Sequence, residues 1–169
     1  MPDALRLRPL TPEAFAPFGD VIAAAGQAEI INSGMTRKFA DQARIDVECE
    51  GGRPAVHIYR SAPTALPLTV TMLERHPLGS QAFMPLQDRP WIVIVAPPTD
   101  IPDRGAICAF LAHGLQGVNL ARGVWHHPQV SLEEAADYLV IDRAGPGENC
   151  DIHSIERPLI IRSLETERP

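Results

Sequence analysis

The chain has 169 residues, 45% of them hydrophobic, enough for one sizeable core and too few for two full domains, so a single domain over 1–169 is expected. A formal net charge of −6 with no basic run leaves nothing to neutralise a phosphate backbone and should repel an acidic lipid surface, which argues against nucleic acid and membrane as partners. Of the fifteen basic residues only Lys38 is a lysine, so Schiff-base chemistry would rest on one residue; arginine forks instead suit a small anionic substrate.

The opening MPDALRLRPL lacks a continuous apolar stretch, and the longest apolar run, WIVIVAPP, falls far short of the ~20 residues of a membrane span. Cys49, Cys108 and Cys150 are widely spaced and form no Cys-x-x-Cys pair, against both a disulfide scaffold and a thiolate zinc site. A soluble cytoplasmic protein is expected. Seventeen prolines, about a tenth of the chain against a usual ~5%, interrupt helices and favour short strands.

In chain order, TPEAFAPFGD offers Thr11 as an N-cap, Pro12 at the first helical position and Glu13 in the first turn, with Pro17 and Gly19 as stops: a helix of one to two turns. ARIDVEC (43–49) alternates apolar with charged residues and reads as a half-buried strand. Strand chemistry continues in AVHIYRS (55–61), LPLTVTMLER (66–75), SQAFMPL (80–86), WIVIVAPP (91–98), AICAFL (106–111) and PLIIRSL (158–164). In SLEEAADYLVIDR, Ser131 and Glu134 have capping-box spacing, so a short helical turn is expected before a strand from about Asp137. Such a series points to a mainly β sandwich or barrel with a few short helices.

Two polar clusters stand out. In LERHPLGSQAF, Glu74 and His76 lie two apart and leave the same face of a strand, and a tight hairpin across Pro77-Leu78-Gly79 would bring Gln81 beside them. In GVNLARGVWHHP, the adjacent His126 and His127 must face opposite ways on a strand, so only one can join the first cluster.

This pair of stretches resembles the two cupin motifs, with Glu74, His76 and Gln81 in the first and Ala121, Gly123 and His126 in the second. The resemblance implies a cupin-like β-barrel or jelly roll in which Glu74, His76, Gln81 and His126 would hold a divalent metal. Gln81, a carboxamide where the pattern has a carboxylate, should bind a metal more weakly. NSGMTRKF, IYRSAPTALPL, LERHPLGSQAFMPL, GVNLARGVWHHP, YLVIDR and ENCDI together resemble the ureidoglycolate lyase family over nearly the whole chain. What that implies is a homodimer that cleaves (S)-ureidoglycolate to glyoxylate and urea in allantoin and purine degradation, with nickel as the metal named for the family.

On this reading Glu74, His76 and His126 are the catalytic candidates. Arg37, Arg60, Gln81, Asn119 and Arg122 are candidate substrate contacts, the two first-named arginines for the substrate carboxylate. His127 is read as structural, His57, His113 and His153 as scaffold or surface, and Asp142 with Arg143 as a local ion pair. Ureidoglycolate carries a hydroxyl, a carboxylate and a urea nitrogen on one carbon, so its cleavage consumes no water and is an elimination. Two alternatives fit the same residues: a non-catalytic cupin that binds small acids, and another metal-dependent cupin enzyme acting on small carboxylic acids.

Overall fold

A computed structural model describes residues 3–166. In chain order the elements are β1 (Asp3–Ala4), β2 (Leu7–Pro9), α1 (Pro12–Phe15), β3 (Gly19–Ile22), β4 (Glu29–Ile31), β5 (Thr36–Lys38), β6 (Arg53–Ser61), β7 (Leu68–Arg75), β8 (Gln81–Pro85), β9 (Trp91–Ala96), β10 (Cys108–Ala112), β11 (Gly117–Leu120), β12 (Trp125–His126), β13 (Val130–Ser131), β14 (Ala136–Ala144) and β15 (Asp151–Ile161). The mainly β, cupin-like architecture with a few short helices is the one expected. Among the described residues no helix is long and apolar enough to cross a membrane.

One sheet runs β1-β15-β7-β12-β9-β10-β2, with β13 also on β9; the other runs β3-β11-β8-β14-β6, and β4 and β5 form a separate hairpin. Strand β9 explains how the two cores divide. Its six residues are all buried, and alternate side chains go to opposite faces. Ile92 and Ile94 pack with Val70, Leu73, Leu111 and Leu159 inside the curl of the first sheet. Trp91, Val93 and Val95 pack with Phe83, Val118, Tyr138 and Val140 from the second sheet. Burial on both faces is why WIVIVA reads as one continuous apolar run rather than an alternating one.

The helix begins as the sequence predicts: the Thr11 hydroxyl accepts from Ala14 N at 3.2 Å, and Pro12 opens the first turn. Two expectations need correction. Residues 43–48 join no ladder, and Glu48 already has helical dihedrals (φ −90°, ψ −5°) where the chain enters the Cys49–Gly51 turn. Their backbone groups are taken up mostly by side chains: Arg44 N donates to Asp20 Oδ2, Asp46 N to Ser80 Oγ, and the Asn119 amide to Arg44 O, while Asp46 O accepts from Ser80 N at 2.7 Å. The alternation does not survive here, because Ile45 and Val47 would share one face of a regular strand, yet Val47 is buried and Ile45 exposed.

The second correction is at Ser131, which lies in β13 rather than capping a helix. Its hydroxyl shares a 3.0 Å hydrogen bond with the buried Tyr138 hydroxyl, and Glu133 turns the chain with φ 62°. Glu134 pairs with Arg89 at 2.7 Å. A short polar residue can spend its side chain on a tertiary partner, and here that contact overrides the local cap.

The Ser80 contact also ties the 43–48 segment to the residue before Gln81. Replacing Ser80 with Ala leaves the Asp46 N–H without its partner and is expected to lower unfolding free energy by about 1–3 kcal/mol, read by urea denaturation. An unchanged midpoint would show that the segment is held by other means.

Candidate active site

Strands β7 and β12 pair antiparallel with His126 directly opposite Glu74. Cross-strand partners project to the same face, so the two side chains meet, and His126 Nε2 lies 3.5 Å from Glu74 Oε1. On β12, Trp125 enters the core of the first sheet while His126 turns between the sheets, only 2% exposed. His76 follows β7, and its ring centroid sits 5.1 Å from that of His126. One ligand atom from each of Glu74, His76 and His126 lies within 4.8 Å of the others.

Gln81 arrives differently from the hairpin expected. Strands β7 and β8 belong to different sheets, and the Pro77–Ser80 corner carries the chain from one to the other. Gln81 Oε1 nonetheless reaches His76 Nε2 at 3.1 Å. The site therefore occupies the seam where the two sheets meet.

Two backbone carbonyls set the imidazoles. His76 Nδ1 lies 2.6 Å from Asn149 O, and His126 Nδ1 lies 3.0 Å from Val124 O. A carbonyl only accepts, so both Nδ1 atoms carry protons and each ring turns its Nε2 toward the cluster. His126 Nε2 is buried and has no hydrogen-bond partner. At His76 the Nε2 lone pair would meet the carbonyl oxygen of Gln81, and only a positive charge, proton or metal ion, reconciles the two.

With a proton on the facing His126 Nε2, the imidazole holds the Glu74 carboxyl below the usual carboxylate range, against the opposing effect of burial. Glu74 is thus an anion at neutral pH. An orphaned imidazole nitrogen, a second imidazole of the same tautomer and a carboxylate make a donor set suited to a divalent transition metal. The carbonyls behind the rings are the outer partners that metal-binding histidines ordinarily have.

The ureidoglycolate lyase family model matches residues 2–162 of this chain. The chain belongs to that family. It is 55% identical over 156 residues to a ureidoglycolate lyase of Burkholderia mallei (strain NCTC 10229), covering 92% of this chain and 91% of the relative. Ureidoglycolate lyases of Pseudomonas fluorescens (strain Pf0-1) and Pseudomonas aeruginosa (strain LESB58) are each 49% identical over 150 residues. Both matches cover 88% of this chain, with 90% and 89% of the respective relatives. The resemblance carried by the motifs is borne out.

Within this ureidoglycolate lyase family fold, Glu74, His76, Gln81 and His126 come together; the other candidate contacts do not join them. Arg60 points to the opposite face of β6 from His57 and Tyr59, where it forms a two-pronged pair with Asp137 at 2.8 Å on both arms. Arg37 sits on the separate β4–β5 hairpin with its guanidinium 5.6 Å from the Phe39 ring centre. Asn119 is next to Gln81's partner in the β11–β8 register, hence on the other face, where it binds Asp20 and Arg44. Arg122 pairs with Asp46 at 3.4 Å beside a groove lined by Asp20, Arg44 and Ser80.

Sequence reasoning missed the groups behind Gln81. Asp142 does not pair with Arg143, because neighbours on a strand face opposite ways. Arg143 instead donates to Cys49 O and Glu50 O, whereas Asp142 receives the Gln81 amide, the Tyr59 hydroxyl and a 3.1 Å contact from His57. The available signal was the spacing Tyr138, Val140, Asp142, which puts a charge on an apolar face. His127, read as structural, bonds the following loop through Nδ1 and Pro128 O at 2.8 Å. Strand β12 ends at His126, so the alternation stops and both histidines border one inner cavity with Phe83, Val118 and Gln129. Burial pushes the His127 pKa down, with the nearby Glu74 charge opposing.

A carbon-detected NMR titration of metal-free protein should place the Glu74 midpoint below the ordinary value of about 4.3, and His126→Ala should move it upward. The stability this carboxylate contributes is present above that ordinary value and is lost as pH falls through the lowered folded one. A midpoint at or above the ordinary value in the wild type would refute the electrostatic account of the pair.

Proposed function

We propose that this chain is a ureidoglycolate lyase that eliminates urea from (S)-ureidoglycolate and leaves glyoxylate. The convergence of Glu74, His76 and His126 within 4.8 Å carries this reading, in a chain whose relatives bear that name over about nine-tenths of its length. The reaction moves one proton off the substrate hydroxyl as the C–N bond breaks and one onto the departing nitrogen. One base and one acid suffice, and positioned proton transfer of this kind contributes about 10²- to 10⁴-fold.

Glu74, ionised at neutral pH, or His76 takes the hydroxyl proton, and His126 in its imidazolium form delivers its Nε2 proton to the urea nitrogen. Glu74, His76 and His126 are also the residues that would hold a divalent ion, nickel by family resemblance, with Gln81 as a weaker oxygen donor. When bound, the ion supplies a Lewis acid that lowers the pKa of the substrate hydroxyl. Side chains engaged as ligands cannot carry protons, and the base is then His127. Its burial keeps it neutral, and its Nδ1–H is committed to Pro128 O, which leaves Nε2 as acceptor.

The enzyme works in the cytoplasm, in allantoin and purine degradation, as a homodimer. Val56 and Ile58, 65% and 58% exposed on the outer face of β6, favour a covering partner. Light scattering at the mass of one chain in solution would remove the dimer from this reading.

The deciding assay mixes pure protein with ureidoglycolate and measures products. Urea should appear with glyoxylate in equal amounts; ammonia in its place would mean hydrolysis of the ureido group. His76→Ala and His126→Ala should each reduce glyoxylate release by about 10²-fold or more with the fold retained. His127→Ala does the same only if the triad is occupied by metal. Near-normal turnover in all three variants would overturn the site.

A further inference from the structure

Gln81 is 5% exposed, and its amide could in shape alone be turned either way. Its surroundings decide. On one side lies Asp142 Oδ2, 3.4 Å from Gln81 Nε2 and equally 3.4 Å from the Tyr59 hydroxyl. An ionised carboxylate only accepts, so the amide end that faces it must be the N–H end. Tyr59 is held as a neutral phenol by burial and by the Asp142 charge, and so donates as well. His57 Nε2 contacts the other oxygen, Asp142 Oδ1, at 3.1 Å.

With the nitrogen so engaged, Gln81 Oε1 faces His76 Nε2 at 3.1 Å. We infer that Asp142, itself held by His57 and Tyr59, is a positioning residue that fixes the Gln81 amide with its oxygen toward Glu74, His76 and His126. The reversed amide would offer N–H to the His76 lone pair, satisfy it, and turn a donor toward any cation. The fixed orientation instead places two lone pairs side by side and creates a demand for positive charge at the centre of the site. Asp142 acts through Gln81 and touches neither the triad nor the reacting atoms.

The inference rests on the proposed function only for what the site is used for, and its test needs no substrate. Ni²⁺ binding to the full chain is measured by competition with a chromophoric chelator in a double-mutant cycle of Asp142→Asn and Gln81→Met. Solvent exchange of the Gln81 side-chain amide is followed by NMR, its resonances identified by their loss in Gln81→Met. An asparagine at 142 can present either end of its own amide and no longer selects that of Gln81. Asp142→Asn should therefore weaken Ni²⁺ binding by about 10- to 100-fold with Gln81 present, and by less than about twofold in the Gln81→Met background. The Gln81 amide should exchange faster in Asp142→Asn.

Equal losses in both backgrounds, no loss in either, or unchanged amide exchange would each overturn the inference. If the wild type takes up no Ni²⁺, the amide exchange alone decides. Absence of ureidoglycolate turnover would refute the proposed function and leave these readouts intact.

Discussion

The register of β12 against β7 is the constraint on which the site depends. Setting His126 opposite Glu74 puts an imidazole and a carboxylate on one face, and the buried strand β9 beside β12 makes that face interior. A slip of one residue would exchange Trp125 for His126 at the seam and send the imidazole into the apolar core. The register is guarded from both sides, because Trp125 packs in one core while its indole N–H donates to Thr99 O at 2.8 Å. Hydrophobic burial on one face of a two-residue strand thus sets the polar chemistry on the other.

Placing polar groups at such a seam carries a cost unless each finds a partner. The structure answers with backbone carbonyls and one half-buried acid, Asp142. Asn149 shows the economy of the arrangement: its carbonyl holds His76 Nδ1, and its side-chain oxygen accepts from Leu78 N at 2.8 Å. The loop before β15 therefore secures both the ring and the corner that leads to Gln81. Asn119 Oδ1 stays unpartnered on the far face, while within the seam the His126 Nε2 atom and the facing pair of His76 and Gln81 are gathered at one point. A cluster whose outer contacts are complete and whose inner lone pairs are not is organised for a cation or a transferable proton.

The arginines illustrate the opposite use of charge. Arg60 and Arg143 belong to the same sheet as the Gln81 support, yet both lie on its outer side, where Arg60 pairs with Asp137 and Arg143 closes over the Cys49–Gly51 turn. Exposed pairs such as Arg60 with Asp137 add little stability. Their effect is to organise the outer surface, on the side of the sheet away from the polar groups of the seam.

Much of this was legible in the sequence. Proline density and alternation marked the β class, Thr11 and Pro12 marked the helix start, and the ERHPLGSQAF and VWHHP motifs marked the family and the triad. These are local or compositional signals, carried by residues within a few positions of one another. Tertiary structure alone decided that β7 and β8 part into different sheets, that residues 43–48 stay unpaired, and that Asp142 rather than Arg60 faces the site. Alternation divides a strand into two faces but does not say which is inside; that depends on strands far away in the chain and on the closure of one sheet over another.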